Sequence, residues 1–199
     1  MRPFASFAPS LRLAIALLAL AFPFVAPPPA AATLVTELSL DDLAAQADAV
    51  VHGRVVRVAH RTLPVRGRAM PVELVTLAVD EWLVGQGGAE IVIREVGGTA
   101  GGTTVAREGT PTYRRGEEVV VFLRHDGEAY TTLGLAQGRF RIVGDTAHGR
   151  FVERDLDGLV LVDRGRSTTR AGEAVHEPRR EASAFLADVR GRTRGRRGR

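Results

Sequence analysis

Valine-rich runs of period two, punctuated by glycine, constrain this 199-residue chain more than any other feature. Between 72 and 84, Leu74, Thr76, Ala78, Asp80 and Trp82 fall on one side, and Val75, Leu77, Val79 and Glu81 on the other. Such alternation marks a half-buried strand. The run 49–59 carries Val50, Val51, Val55, Val56 and Val58, with Gly53 as the expected bend or bulge. Residues 89–96 add Ile91 and Ile93, and 117–123 contains five successive apolar residues, Val119 to Leu123, a strand fit for burial on both faces. Shorter strands are expected at 130–135, 139–143, 148–153 and 158–162, the last two as a hairpin around Asp157-Gly158. His125-Asp126-Gly127-Glu128 has the Asp-Gly pair of a hairpin turn.

Two connections stand out as loops: polar 60–71, with Pro64, Gly67 and Pro71, and glycine-rich 97–116. Helices are expected only near the ends. In 38–47, Ser39 is placed to cap a first turn holding Asp41 and Asp42, with Leu40, Leu43 and Ala47 on one face. In 178–189, Ala182, Phe185, Leu186 and Val189 share a side. The expected architecture is therefore mainly β, a small OB-like β-barrel with one short N-terminal helix and a C-terminal helix. A two-sheet β-sandwich would satisfy the same physics.

Residues 1–32 read as a signal peptide. Arg2 and Arg12 flank a basic start, 11–25 is apolar without a charge after Arg12, and Ala30-Ala31-Ala32 supplies an A-x-A site. Cleavage is expected after Ala32, with Ala30 and Ala32 at −3 and −1 and Thr33 first in the mature chain. The apolar run falls short of the roughly 20 residues of a spanning helix, so no membrane span is expected after cleavage. The resulting expectation is export to the periplasm or beyond. Downstream lie an OB-like β domain (33–163), a polar linker with a short helix (164–190) and a disordered arginine-rich tail (191–199).

Charge excludes one function class. All 27 basic residues are arginine, and six of them lie in the last ten positions. Residues 33–189 hold 19 arginines against all 23 carboxylates, a net charge of −4. A mildly acidic body lacks the basic footprint of nucleic-acid recognition. The chain has no cysteine, which excludes disulfides, thiolate-bound zinc and thiol nucleophiles.

Catalytic patterns are missing. His52, His60, His125, His148 and His176 show no metal-ligand spacing. Ser39, Ser167 and Ser183, the serines beyond residue 32, lie in no nucleophile frame. The 97–104 glycine run lacks the lysine of a P-loop. The adjacent carboxylates Asp41/Asp42, Asp80/Glu81 and Glu117/Glu118 read as solvated or capping groups, since strand neighbours face opposite ways. No cofactor and no metal site is called for. What remains is a candidate binding surface: Tyr113, Arg114 and Arg115, either an exposed hot-spot cluster or a loop anchored by one aromatic. Trp82 joins it as a candidate, with packing at a barrel mouth the simpler role.

The order of elements also resembles a known family. A short helix leads into Ala47-Asp48-Ala49-Val50-Val51-His52-Gly53-Arg54-Val55-Val56, and a strand ends in Glu81-Trp82-Leu83-Val84-Gly85 before Ile91-Val92-Ile93. Gly116 to Leu123 and Gly134-Leu135-Ala136-Gln137-Gly138-Arg139-Phe140 follow. Over roughly 38–143 this looks like the OB-fold of netrin modules and tissue inhibitors of metalloproteinases, and like uncharacterised secreted bacterial proteins of that shape. The animal inhibitors act through an N-terminal cysteine, so the resemblance implies a fold and transfers no inhibitory residue. The expected function is an exported, non-enzymatic binding protein using the loops 97–116 and 60–71. Its partner would be an exported protein such as a protease, or an envelope glycan. Two alternatives are an enzyme with a site assembled from His52, His60 or His125 with carboxylates, and a structural envelope protein held by its arginine tail.

Overall fold

The computed structural model describes residues 33–105, 107–145, 147–162, 169–170 and 179–196. Residues 1–32, where a signal peptide is expected, residues 164–168 and 171–178 of the expected 164–190 linker, Ser167 and His176 lie outside them. The fold is mainly β with two α-helices. The strands are β1 (Thr33–Thr36), β2 (Ala49–Val65), β3 (Arg68–Val84), β4 (Glu90–Val96), β5 (Gly98–Ala100), β6 (Thr103–Val105), β7 (Glu118–His125) and β8 (Tyr130–Thr132). After them come β9 (Arg139–Asp145), β10 (Gly149–Glu153), β11 (Leu159–Val162), β12 (Thr169–Arg170) and β13 (Arg180–Glu181). The helices are α1 (Leu40–Gln46) and α2 (Ala182–Thr193).

Eight strands form one sheet in the order β13-β10-β9-β7-β2-β3-β4-β8, and β8 also pairs with β7. The circuit β2-β3-β4-β8-β7 therefore returns on itself. Its link between β4 and β8 is parallel and consists of the single pair Ile93↔Tyr130, so this is a large sheet with one weak closure and no clear barrel. Inside the circuit, Val51, Val55, Val75, Leu77, Ile91, Ile93, Val119, Val121 and Leu123 share one apolar cluster. The outer face of β2, β3, β7, β9 and β10 packs Val50, Leu83, Phe122, Phe140 and Val152 against Leu43 of α1 and Phe185, Leu186 and Val189 of α2. Hence β7 is buried on both sides, as its five-residue apolar run requires: Val119 to Leu123 have no exposed surface.

Several expectations resolve in detail. Ser39 caps α1, accepting from the Asp42 N–H while Asp42 answers the Ser39 N–H. Gly53 lies at a register shift against β3, where a Cβ would stand 2.3 Å from the Ala78 carbonyl oxygen.

Four expectations need correction. Residues 60–71 are no loop: β2 and β3 continue in register to Val65↔Arg68, around an Arg66-Gly67 turn with both φ positive. The prolines allow it. Pro64 lies beyond Arg54, where β7 stops pairing, and Pro71 sits just before the β4 ladder begins at Val72. Neither removes a donor needed by a second neighbour. Segments 148–153 and 158–162 do not pair with each other. β10 joins β9, and β11 joins the unforeseen β1 in parallel, burying Leu159 and Leu161. The glycine run 97–105 is not irregular but holds the β5–β6 hairpin. The tail is ordered through 196, because Thr193 is buried on α2 and Arg192 pairs with Asp41 and Asp188.

Candidate functional site

On β3 and β4 the inward-facing rows run Glu73-Val75-Leu77 and Ile91-Ile93-Glu95. Glu73 and Glu95 stand directly opposite each other in the ladder. Two carboxylates thus occupy positions that the alternation reserves for apolar residues, at one end of the interior cluster. The segment between β4 and β7 folds over them. Its β5–β6 hairpin approaches the outer part of the β2–β3 hairpin, with Gly98 facing the His60 ring and Gly101 facing Thr62. Segments 97–116 and 60–71 are thus brought together, but the second is a strand pair and the cleft described next is lined by the first and by β3 and β4.

Between this segment and the strand ends lies a cleft of about 340 Å3, lined by Glu73 and Glu95 and, on the segment, by Thr104, Arg107, Thr110 and Pro111 among others. Glu95 is only 6% exposed, and its Oε1 accepts the Thr132 N–H at 2.8 Å. Burial pushes its pKa up to about 7, against the opposing Thr132 hydrogen bonds, with Glu73 adding to the rise and Arg107 offsetting it. Glu73 is also raised by burial, opposed by His60, Arg139 and the Tyr113 amide. Its Oε2 is 3.9 Å from His60 Nδ1, while its buried Oε1 has no hydrogen-bond partner among the described residues. The buried Thr110 hydroxyl is also unpartnered. The cleft can therefore receive a hydrogen-bond donor, and near neutral pH Glu95 can either accept or donate.

The segment is fastened at two points. Gly109 packs on Leu159, where a Cβ would come within 2.0 Å of its side chain, and its carbonyl accepts the Ala136 N–H at 2.9 Å. Tyr113, 3% exposed, bonds Thr132 Oγ1 through its hydroxyl at 2.6 Å and lies under the Arg139 guanidinium at 5.0 Å. Arg139 continues to Glu117.

These positions revise the candidate surface. Tyr113 is the anchor of the segment and is not exposed; Arg114 and Arg115 alone of that trio face solvent. Trp82 is half-buried beneath the 85–88 turn, donating to the Gly88 carbonyl at 3.1 Å and leaving no room for a side chain at Gly87. It packs against the interior cluster. Thr33, the expected first mature residue, opens β1 and its hydroxyl donates to the Glu108 carbonyl at 3.0 Å.

Set against protein-family models, curated proteins and solved structures, the chain matches none.

The histidines do not converge. His52 bonds Glu118 at 2.8 Å, His125 stacks edge-on against Tyr130, and His148 pairs with Asp145; among the described histidines only His60 comes near a residue of the cleft, 3.9 Å from Glu73. Among the described residues no three of His, Asp and Glu group as a metal-ion site. The adjacent pair Glu117/Glu118, read as solvated or capping, is half-buried in ion pairs, Glu117 with Arg139 and Arg141 and Glu118 with His52, Arg54 and Arg150, and Glu117 also accepts the Arg114 N–H at 2.9 Å. The pair with chemical interest is Glu73/Glu95. Its signal was present in the sequence as a charged residue in register with an apolar row, at Glu73 and again at Glu95.

Proposed function

We propose that this is an exported, non-enzymatic binding domain whose cleft beneath residues 97–112 receives a cationic side chain of an exported partner protein. The carrying observation is the buried Glu73 Oε1, an acceptor without a donor, in a cleft that also contains Glu95. A buried acceptor left unmade costs about 1–3 kcal/mol, which a donor from a partner would recover. The five-strand circuit fits the partly open Greek-key shape of an OB-type domain, whose loops and one strand face are common binding surfaces. That likeness is of shape only. Export rests on the three-part N-terminal pattern; N-terminal sequencing of secreted material should begin at Thr33.

The binding test titrates 15N-labelled protein with n-butylguanidinium and its neutral counterpart n-butylurea. Saturable amide shifts are expected at Glu95, Thr104 and Thr110 with the cation, reduced at least tenfold in Glu73→Gln. Equal response to the neutral analogue, or shifts spread over the whole acidic surface, would defeat the reading. The enzyme alternative has one observation in its favour, the approach of His60 to Glu73, but His52 and His125 lie elsewhere. The tail-anchored alternative meets Arg190 and Arg192 already engaged by Glu81, Asp41 and Asp188.

A further inference from the structure

Glu73 and Glu95 are directly opposed across β3 and β4 and line the same cleft of about 340 Å3. The Cβ atoms of such a cross-strand pair stand about 4.5–5.5 Å apart. Two carboxylates that close, largely shielded from water, repel each other, and the more buried one keeps its proton to higher pH. That one is Glu95, which is only 6% exposed. Its Oε1 already accepts the Thr132 N–H at 2.8 Å, which leaves Oε2 to carry a proton. Burial and the Glu73 charge together hold it protonated up to about pH 7.

Each element around the pair adds its own charge to this balance. On β2, His60 Nδ1 is 3.9 Å from Glu73 Oε2. From β9, Arg139 favours an ionised Glu73, but its guanidinium is committed to Glu117. On the covering segment, Arg107 lines the cleft and favours an ionised Glu95, and the Tyr113 amide favours an ionised Glu73. The Tyr113 phenol bonds Thr132 Oγ1, and burial raises its pKa, so it stays neutral. With all of these in place, Glu73 Oε1 still has no hydrogen-bond partner among the described residues. A guanidinium seated on that oxygen would bring a full positive charge beside Glu95. The charge stabilises ionised Glu95 and not its neutral form. By reciprocity, a ligand that expels a proton is itself expelled by protons.

We propose that the cleft exchanges a proton for its cation: Glu95 Oε2 holds the proton while the cleft is empty, and loses it when the ligand's positive charge settles against Glu73. The O–H bond of Glu95 breaks, the proton passes to the solvent buffer, and no bond of the ligand changes. This exchange rests on the cation-binding reading above and adds the regulation of the same site. A guanidinium keeps its charge at every pH concerned, so the ligand itself adds no pH dependence. Above about pH 8 Glu95 is already ionised and the affinity is constant. Below about pH 7 each further unit of acid costs about tenfold in affinity, one proton being displaced per ligand. The cleft therefore loads at neutral to alkaline pH and empties as its surroundings acidify.

The test uses the protein from Thr33 to Arg199, which contains every described element, labelled with 15N and with 13C at the glutamate carboxyls. It is titrated with n-butylguanidinium at pH 6, 7 and 8. Affinity should rise about tenfold from pH 6 to pH 8. The titration midpoint of the Glu95 carboxyl carbon should fall by at least about one pH unit when the cation saturates the cleft. Glu95→Gln keeps an acceptor for the Thr132 N–H but has no proton to give up. Its affinity should change less than about threefold over the same range, whereas His60→Gln should retain the tenfold change. Equal affinity at pH 6 and 8 would overturn the exchange and leave cation binding standing. An undiminished pH dependence in Glu95→Gln, or its loss in His60→Gln, would overturn it in the same way. No saturable binding at any of the three pH values would defeat the binding reading, and the exchange with it.

Discussion

Glu95 is a carboxylate placed where its charge is costly, and replacing it by glutamine should convert that cost into a measurable pH dependence. Its pKa rises from 4.5 to about 7 through burial, a difference equivalent to roughly 3 kcal/mol. Below pH 4.5 the group is protonated in folded and unfolded chains alike, and it neither adds nor removes stability. Between pH 4.5 and 7 the unfolded chain releases its proton while the folded one keeps it, so stability falls as pH rises. Above pH 7 both forms are ionised and the full penalty of roughly 3 kcal/mol remains. Glutamine keeps the acceptor that Thr132 N–H uses at 2.8 Å and has no charge to desolvate. Urea titrations of wild type and Glu95→Gln at half-unit steps from pH 4 to 8 should therefore show near-equal stability at the acid end. The variant should lead by up to about 3 kcal/mol at pH 8. Glu73 titrates in both proteins, and its repulsion of an ionised Glu95 is part of the penalty that the variant removes. Two parallel curves, offset by a constant, would refute the assignment of the cost to ionisation of Glu95.

Gly53→Ala drives a methyl group to 2.3 Å from the Ala78 carbonyl oxygen, so β2 must move; a loss of about 1–3 kcal/mol is expected in chemical denaturation. Gly88→Ala, which meets nothing closer than 4.0 Å, is the control and should stay within about 0.5 kcal/mol of wild type. Truncation after Arg190 removes buried Thr193, its 2.8 Å bond to the Val189 carbonyl, and the Arg192 ion pairs. The shortened protein should lose about 1–2 kcal/mol, read as a lower urea midpoint, whereas a solvated tail would leave the midpoint unchanged.

Much of the fold was legible locally because its signals are local. Alternation placed β3, β4 and the doubly buried β7, the Ser39 cap placed α1, and Gly53 marked the irregularity in β2. Polarity misled where neighbours intervene. Residues 60–71 look like a loop, yet a strand that needs only one partner tolerates Pro64. The arginine-rich end looks solvated, yet Thr193 and Val189 extend the apolar side of α2.

The sequence by itself determined a cysteine-free, mainly β chain with a mildly acidic body, and it offered the segment 97–116 as one wall of a candidate site. Those properties depend on composition and on period-two patterning, which each strand carries alone. The tertiary structure decided what the wall encloses. Only the β3–β4 register sets Glu73 opposite Glu95, and only the Thr132 hydroxyl on β8 turns Tyr113 from a surface aromatic into an anchor. Burial, which raises the Glu95 pKa and leaves Glu73 Oε1 without a donor, belongs to no residue until distant strands surround it.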